Sequence, residues 1–267
     1  MEIVGYLGAL VMGITLGLFG GGGSILTVPI LVYLFGQDPL TATGLSLFIV
    51  GATSAVGSFA HHRQENIHWG TALLFGASSI ISVYATRHWL MPALPDPLFL
   101  IGDIAVGKGT AILVLFAILM LGASLSMIRK PAAQNNSVEH TPSPLALLII
   151  GLLSGVITGI LGAGGGFLIV PALVLLAGLD MKKAVGTSLF LITVNAFIGF
   201  MGDPDIHIKE QYAILLPLVA IAILGTVLGS RMSKQVDGKK LRPIFGWFVL
   251  AMGIMIMVKE LWIDRKS

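Results

Sequence analysis

Residues 159–173, GILGAGGGFLIVPAL, decide the fold, because residues 17–31, GLFGGGGSILTVPIL, echo them 142 residues earlier. The register runs without a gap from Gly17–Phe48 onto Gly159–Phe190 and holds 17 identities in 32 positions. Shared apolar composition would match a few leucines and valines. It would not align Gly20 with Gly162, Gly22 with Gly164, Gly23 with Gly165, Pro29 with Pro171, Asp38 with Asp180 and Ser46 with Ser188. Internal duplication of this kind is a mark of membrane transporter folds.

Each copy sits in a long stretch without formal charge: 35 residues between Glu2 and Asp38, and 40 between Glu139 and Asp180. A single helix of 35 residues would be about 52 Å long, against a hydrocarbon core of about 30 Å. Glycine inside a helix costs about 1 kcal/mol per residue. The clusters at 20–23 and 162–166 therefore predict a helix broken into two shorter pieces that meet at an irregular turn. Asp38 and Asp180 then stand as N-caps of the next helix, with Pro39 at the favoured first position. Six further charge-free runs of 16 to 24 residues each match one bilayer crossing.

The expected fold class is an all-α polytopic membrane protein of two homologous halves related as an inverted repeat. Its ten helical pieces run at about 3–19, 24–36, 39–60, 69–90 and 108–128, then 145–161, 167–178, 181–201, 212–231 and 243–262. The halves are 1–128 and 145–267, joined by a polar, proline-containing linker at 129–144. Composition agrees: 55% hydrophobic, 11% charged and 34 glycines in 267 residues, where a soluble domain carries about 25% charge. The absence of cysteine excludes disulfides, thiolate metal sites and thiol nucleophiles. A net charge of +3 is no nucleic-acid footprint. The first segment lacks a basic leader and a small-residue cleavage site, and is expected to stay as a membrane helix.

Lysine and arginine positions orient the chain. If each broken segment makes an even number of crossings, ten basic residues fall on one side and six, counting Arg87 among them, on the other. The positive-inside rule then places both termini outside, and two halves of odd crossing number have opposite orientation.

The breaks are the candidate site. A helix interrupted at membrane depth presents free N–H groups at the start of its second piece, where the helix dipole favours an anion. Irregular backbone is tolerated there only against protein or a water-filled cavity. The candidate substrate-binding residues are Gly22, Gly23, Ser24, Gly164, Gly165 and Gly166, with the hydroxyls of Ser46, Thr187 and Ser188 and the amide of Asn195. Against this stands the plainer reading that glycines only let helices pack closely and that Ser and Thr bond their own helix carbonyls. No Asp, Glu, Lys or Arg lies in the middle of an apolar run, which argues against a carboxylate proton relay.

Other features are discounted. The run Gly102 to Thr110 nearly fits a phosphate-binding loop but lacks its α/β setting. His61, His62 and His68 are read as a solvated interfacial loop, not a metal site. No catalytic residue, cofactor or metal is expected. The partners are a small anionic solute and the lipid bilayer, and no motif sets an oligomeric state.

The duplicated motif, together with AVGTSL at 184–189 and Asn66-Ile67-His68-Trp69, resembles the TauE/SafE family, also called the 4-toluene sulfonate uptake permease family. The resemblance covers essentially the whole chain. It departs at 42–46, where ATGLS replaces the usual AVGTS, at His68, where Asp is common, and in an enlarged segment at 91–107. Membership implies a multi-pass protein of the bacterial inner membrane that transports sulfite, sulfonates or related organosulfur anions. The alternatives are a non-transporting membrane scaffold, which has no use for duplicated helix breaks, and an intramembrane enzyme, which needs a reactive set at membrane depth.

Overall fold

A computed structural model describes residues 2–101, 104–128, 143–204, 211–233, 235 and 238–263. The expected linker, apart from Ser143 and Pro144, lies outside them, as does Lys209. The first half holds α1 (Glu2–Phe19), a 3-10 segment (Gly21–Leu26), α2 (Thr27–Tyr33), α3 (Pro39–His62) and α4 (Trp69–Ala85). A π turn (Thr86–Leu90) carries α4 into the short α5 (Met91–Ala93), and α6 (Lys108–Ile128) follows. The second half holds α7 (Pro144–Leu161), α8 (Gly166–Leu175), α9 (Met181–Met201), α10 (Tyr212–Ser233) and α11 (Gly238–Ile263).

Both long runs break where the glycines stand. Gly20 takes φ 71°, and Gly162, Gly164 and Gly165 take φ 69°, 65° and 65°, left-handed values that end α7 and restart α8. The second pieces also end alike. Gly36 and Gly178 are left-handed, and the Gln37 and Leu179 amides donate to Leu31 and Leu173, positions that are equivalent in the 142-residue register. Asp38 caps α3 by accepting from the amides of Leu40 at 3.0 Å and Thr41 at 3.3 Å. Asp180 holds the matching place before α9, but its side chain makes no capping hydrogen bond.

Among the described residues six helices are long and apolar enough to cross a membrane: Pro39–His62, Trp69–Ala93, Lys108–Leu125, Pro144–Leu161, Met181–Met201 and Tyr212–Ser233. Large apolar side chains such as Ile3, Leu73, Ile81, Leu216 and Leu224 are exposed along the helices, as a lipid-facing surface requires.

The halves interlock. Gly13 and Gly17 of α1 lie against the backbone of Ala222 and Thr226, and Gly225 and Gly229 of α10 lie against Leu10 and Ile14. In the same way Gly151, Gly155 and Gly159 of α7 lie against Phe75, Ser79 and Val83 of α4. A side chain at these glycines would meet backbone, so small residues are what allow the close helix approach. The first helix of each half thus packs on the fourth helix of the other. Equivalent helices α3 and α9 run in opposite directions, with Gly57 against Leu189, Ser54 against Thr193 and Gly51 against Phe197. Likewise Gly246 and Gly253 of α11 meet Ile128 and Met120 of α6.

The chain is an all-α membrane protein as expected, and the enlarged segment adds only a small antiparallel hairpin, β1 (Phe99–Ile101) with β2 (Ile104–Val106). Its neighbour Lys108 is engaged structurally: its amide donates to Asp96 at 2.9 Å and its ammonium to the Met91 carbonyl at 3.0 Å. One expectation needs correction: of the three histidines read as a solvated loop, His61 is fully buried at the end of α3, its Nε2 3.4 Å from the Gly17 carbonyl, whereas His62 and His68 are exposed. His68 caps α4 by accepting from the Thr71 amide.

Candidate functional site

The two breaks meet. A methyl group placed on Gly21 would coincide with the backbone of Gly166, and one placed on Gly166 would coincide with Gly21. Only paired glycines permit that approach. Gly22, Gly23 and Ser24 lie in the buried 3-10 segment, with Gly23 folded back against Met12 and Leu16 of α1. Gly164 faces Val50 and Ile192, and Gly165 faces the Thr158 hydroxyl. The contact leaves no room for a solute between Gly21 and Gly166 in this conformation. A path through this point requires the breaks to separate.

Each break is also seated on the post-break helix of the other half. Gly20 lies against Val185 and the Ser188 hydroxyl of α9, and Gly162 against Thr43 of α3, with Ser46 donating to the Gly162 carbonyl. Gly20 and Gly162 are equivalent in the repeat register, as are Thr43 with Val185 and Ser46 with Ser188. The exchange is therefore reciprocal. Neither break is capped by a side chain: Gly165 at the start of α8 and Gly20 at the start of the 3-10 segment have none to offer. The first amides of α8 have no intrahelical carbonyl to bond, as at any helix start.

The predicted polar residues divide. Ser24 donates to the Gly21 carbonyl at 2.6 Å and Ser188 to Val185 at 2.9 Å, so both hydroxyls satisfy their own segments. Ser46 bonds Thr43 as well as Gly162 across the half-to-half boundary. Thr187 accepts from the His68 amide at 2.9 Å and thereby ties α9 to the loop before α4. Asn195 accepts from Ser79 at 3.0 Å, while its buried Nδ2 has no partner. The Thr158 hydroxyl, one turn before the second break, is also buried and unpartnered. Among the described residues no group of three or more His, Asp or Glu side chains is placed to hold a metal ion.

Sequence reasoning missed Arg87. Counted there as a loop charge, it is 3% exposed and forms an ion pair with Asp203 at 3.0 Å. It sits in the π turn, beyond the polar edge of the apolar run, and nothing in the local pattern distinguishes it from an ordinary loop arginine. A methyl on Gly162 would come within 2.5 Å of its Nη2. The signal that could have found it is positional: Arg87 lies just past α4, the helix that packs along α7, and α7 delivers the second glycine break.

Antiparallel equivalent helices, interlocked halves and two buried backbone breaks define a multi-pass helical membrane protein. The Sulfite exporter TauE/SafE family profile matches residues 6–256, and the chain belongs to that family. It is similar to a "Probable membrane transporter protein" of Xylella fastidiosa, 29% identical over 252 residues and covering 92% of this chain and 91% of that one. Proteins of the same description from Methanocaldococcus jannaschii, 25% identical over 269 residues, and Bacillus subtilis (YunE), 27% identical over 274, cover 94% or more of both chains. No solved structure matches the chain.

Proposed function

We propose that this membrane transporter carries small sulfur-containing anions, sulfite or sulfonates among them, across the bacterial inner membrane, and that it binds them at the helix breaks between the two halves. It acts as a carrier and not as an enzyme. The observation that carries the reading is the reciprocal seating of two uncapped glycine breaks, each on the other half's α3 or α9 helix, with Gly21 and Gly166 in backbone contact. Such a junction has amide donors and helix dipoles suited to an anion and a contact that can open. We read the halves as an inverted repeat with both termini outside. The opposite courses of α3 and α9 and of α6 and α11 support that relation.

The test is solute counterflow in proteoliposomes loaded with unlabelled sulfite. Labelled sulfite should accumulate transiently, and external sulfonate or thiosulfate should compete, with chloride far weaker. Accumulation no greater than in protein-free vesicles, for every sulfur anion tried, would refute the reading.

A further inference from the structure

We propose that Arg87 is an oxyanion-binding residue at the second glycine break, where the substrate docks on the open edge of its guanidinium; this deepens the transport reading above and rests on it. Three observations converge on that edge. The side chain is 3% exposed, and its Nη1 donates to Asp203 at 3.0 Å. Its Nε and Nη2 are buried and have no hydrogen-bond partner. Nη2 stands at the Gly162 turn, close enough that a single added methyl there would crowd it.

The chemistry of the two unused atoms is specific. In a planar guanidinium the Nε–H and the adjacent Nη2–H point the same way, and together they match two oxygens on one centre. Asp203 occupies the other side through Nη1 and leaves this fork open. An oxyanion with two oxygens on one sulfur, such as sulfite or a sulfonate head, fills it. A halide reaches only one of the two donors well. The buried hydroxyl of Thr158, also unpartnered, lies on the turn of α7 that leads into the same break. A buried donor left unmatched costs free energy until a ligand supplies the acceptor.

The other break lacks this equipment. Ala222 and Thr226 lie against Gly13 and Gly17 as Ser79 and Val83 lie against Gly155 and Gly159, so the position matching Arg87 is Ser230. The position matching Asp203 in the 142-residue register is His61, whose ring reaches the Gly17 carbonyl. One end of the duplicated path thus has a permanent cation with a carboxylate counter-ion, and the other has a serine and a histidine. The halves repeat, but the strong anion station is single.

The experiment measures sulfite binding to purified detergent-solubilised protein by calorimetry, and sulfite uptake in proteoliposomes, for the wild type, Arg87→Lys, Asp203→Asn and the exchange Arg87→Asp with Asp203→Arg. Arg87→Lys keeps the charge and a partner for Asp203 but loses the fork, and should weaken sulfite binding by about tenfold or more, as expected for loss of a charge-assisted hydrogen bond. Asp203→Asn removes the competing carboxylate and should tighten binding. The exchange restores an ion pair and should not restore affinity. Wild-type affinity in Arg87→Lys, or rescue of affinity by the exchange, overturns the proposal, since either shows a purely structural pair. So does a wild type that does not bind sulfite. A wild type that binds sulfite through Arg87 but does not move it would refute transport and leave this site standing.

Discussion

Gly165 shows how a single residue can mislead a functional test. It lies in the second break, so loss of transport on substitution invites its assignment to the proposed anion path. Its φ of 65°, however, makes any L side chain strained, and an added Cβ would strike the Thr158 hydroxyl. Non-glycine residues in this region cost about 1–2 kcal/mol before any clash. Gly165→Ala should therefore lower the melting temperature of the detergent-solubilised protein whatever the substrate does. Gly122→Ala is the proper control, because nothing lies within 4 Å of the position its Cβ would take. Gly253 would serve badly, since its Cβ would press on Met120 at 3.1 Å. Equal melting temperatures for Gly165→Ala and Gly122→Ala would contradict the strain argument. Serine positions are better probes of the proposed path. Ser46 and Ser188 were legible in the sequence because they recur in register, but their partners were not. That Ser46 holds the Gly162 carbonyl of the opposite half is a fact of tertiary packing that no spacing within one half contains.

At the scale of elements, glycines serve two separate purposes, and the sequence does not label which is which. Those at 20–23, at 162 and at 164–166 break helices. Those at 13, 17, 225 and 229, and at 151, 155 and 159, sit in intact helices and let α1 meet α10 and α7 meet α4. Both kinds occur at small-residue spacings, so periodicity alone leaves them mixed. Clustering separates them: a helix tolerates one glycine per turn but not three or four in succession. Gly155→Val should push α7 away from Ser79 and Ser82 and destabilise the protein by about 1–3 kcal/mol, the usual cost of overpacking. Gly122→Val on α6, where there is space, should cost far less. Comparable losses of folded yield for the two would contradict the assigned helix contact. Helix limits were readable because charges and glycines mark them, as at Met181–Met201. The hairpin at 99–106 was not, since two three-residue strands leave no periodic signal. Arg87 was hidden for a related reason. A charge at the end of an apolar run looks like a loop residue until the ion pair with Asp203, 116 positions away, is seen.

For the whole molecule, the decisive property is the way the halves share parts. Each half lends its first helix to the other's fourth and rests its break on the other's third. The halves therefore cannot move independently. In the transport reading proposed above, rotation of one half against the other draws Gly21 away from Gly166, and the solute path opens at that separation. The duplication was legible in the sequence, and so was the expectation that the breaks face each other. Their direct contact was not, because it depends on how α1 and α7 are held by helices of the opposite half. The measurement that tests this account most directly uses the absence of native cysteine. Ser46 and Ser188 are both fully buried, one beside each break. Ser46→Cys and Ser188→Cys, embedded in membrane vesicles, should react with a small membrane-impermeant thiol reagent, and saturating sulfite should slow the reaction several-fold. Cysteines at both positions that stay inert in protein still able to transport sulfite would contradict the account, and would place the path elsewhere.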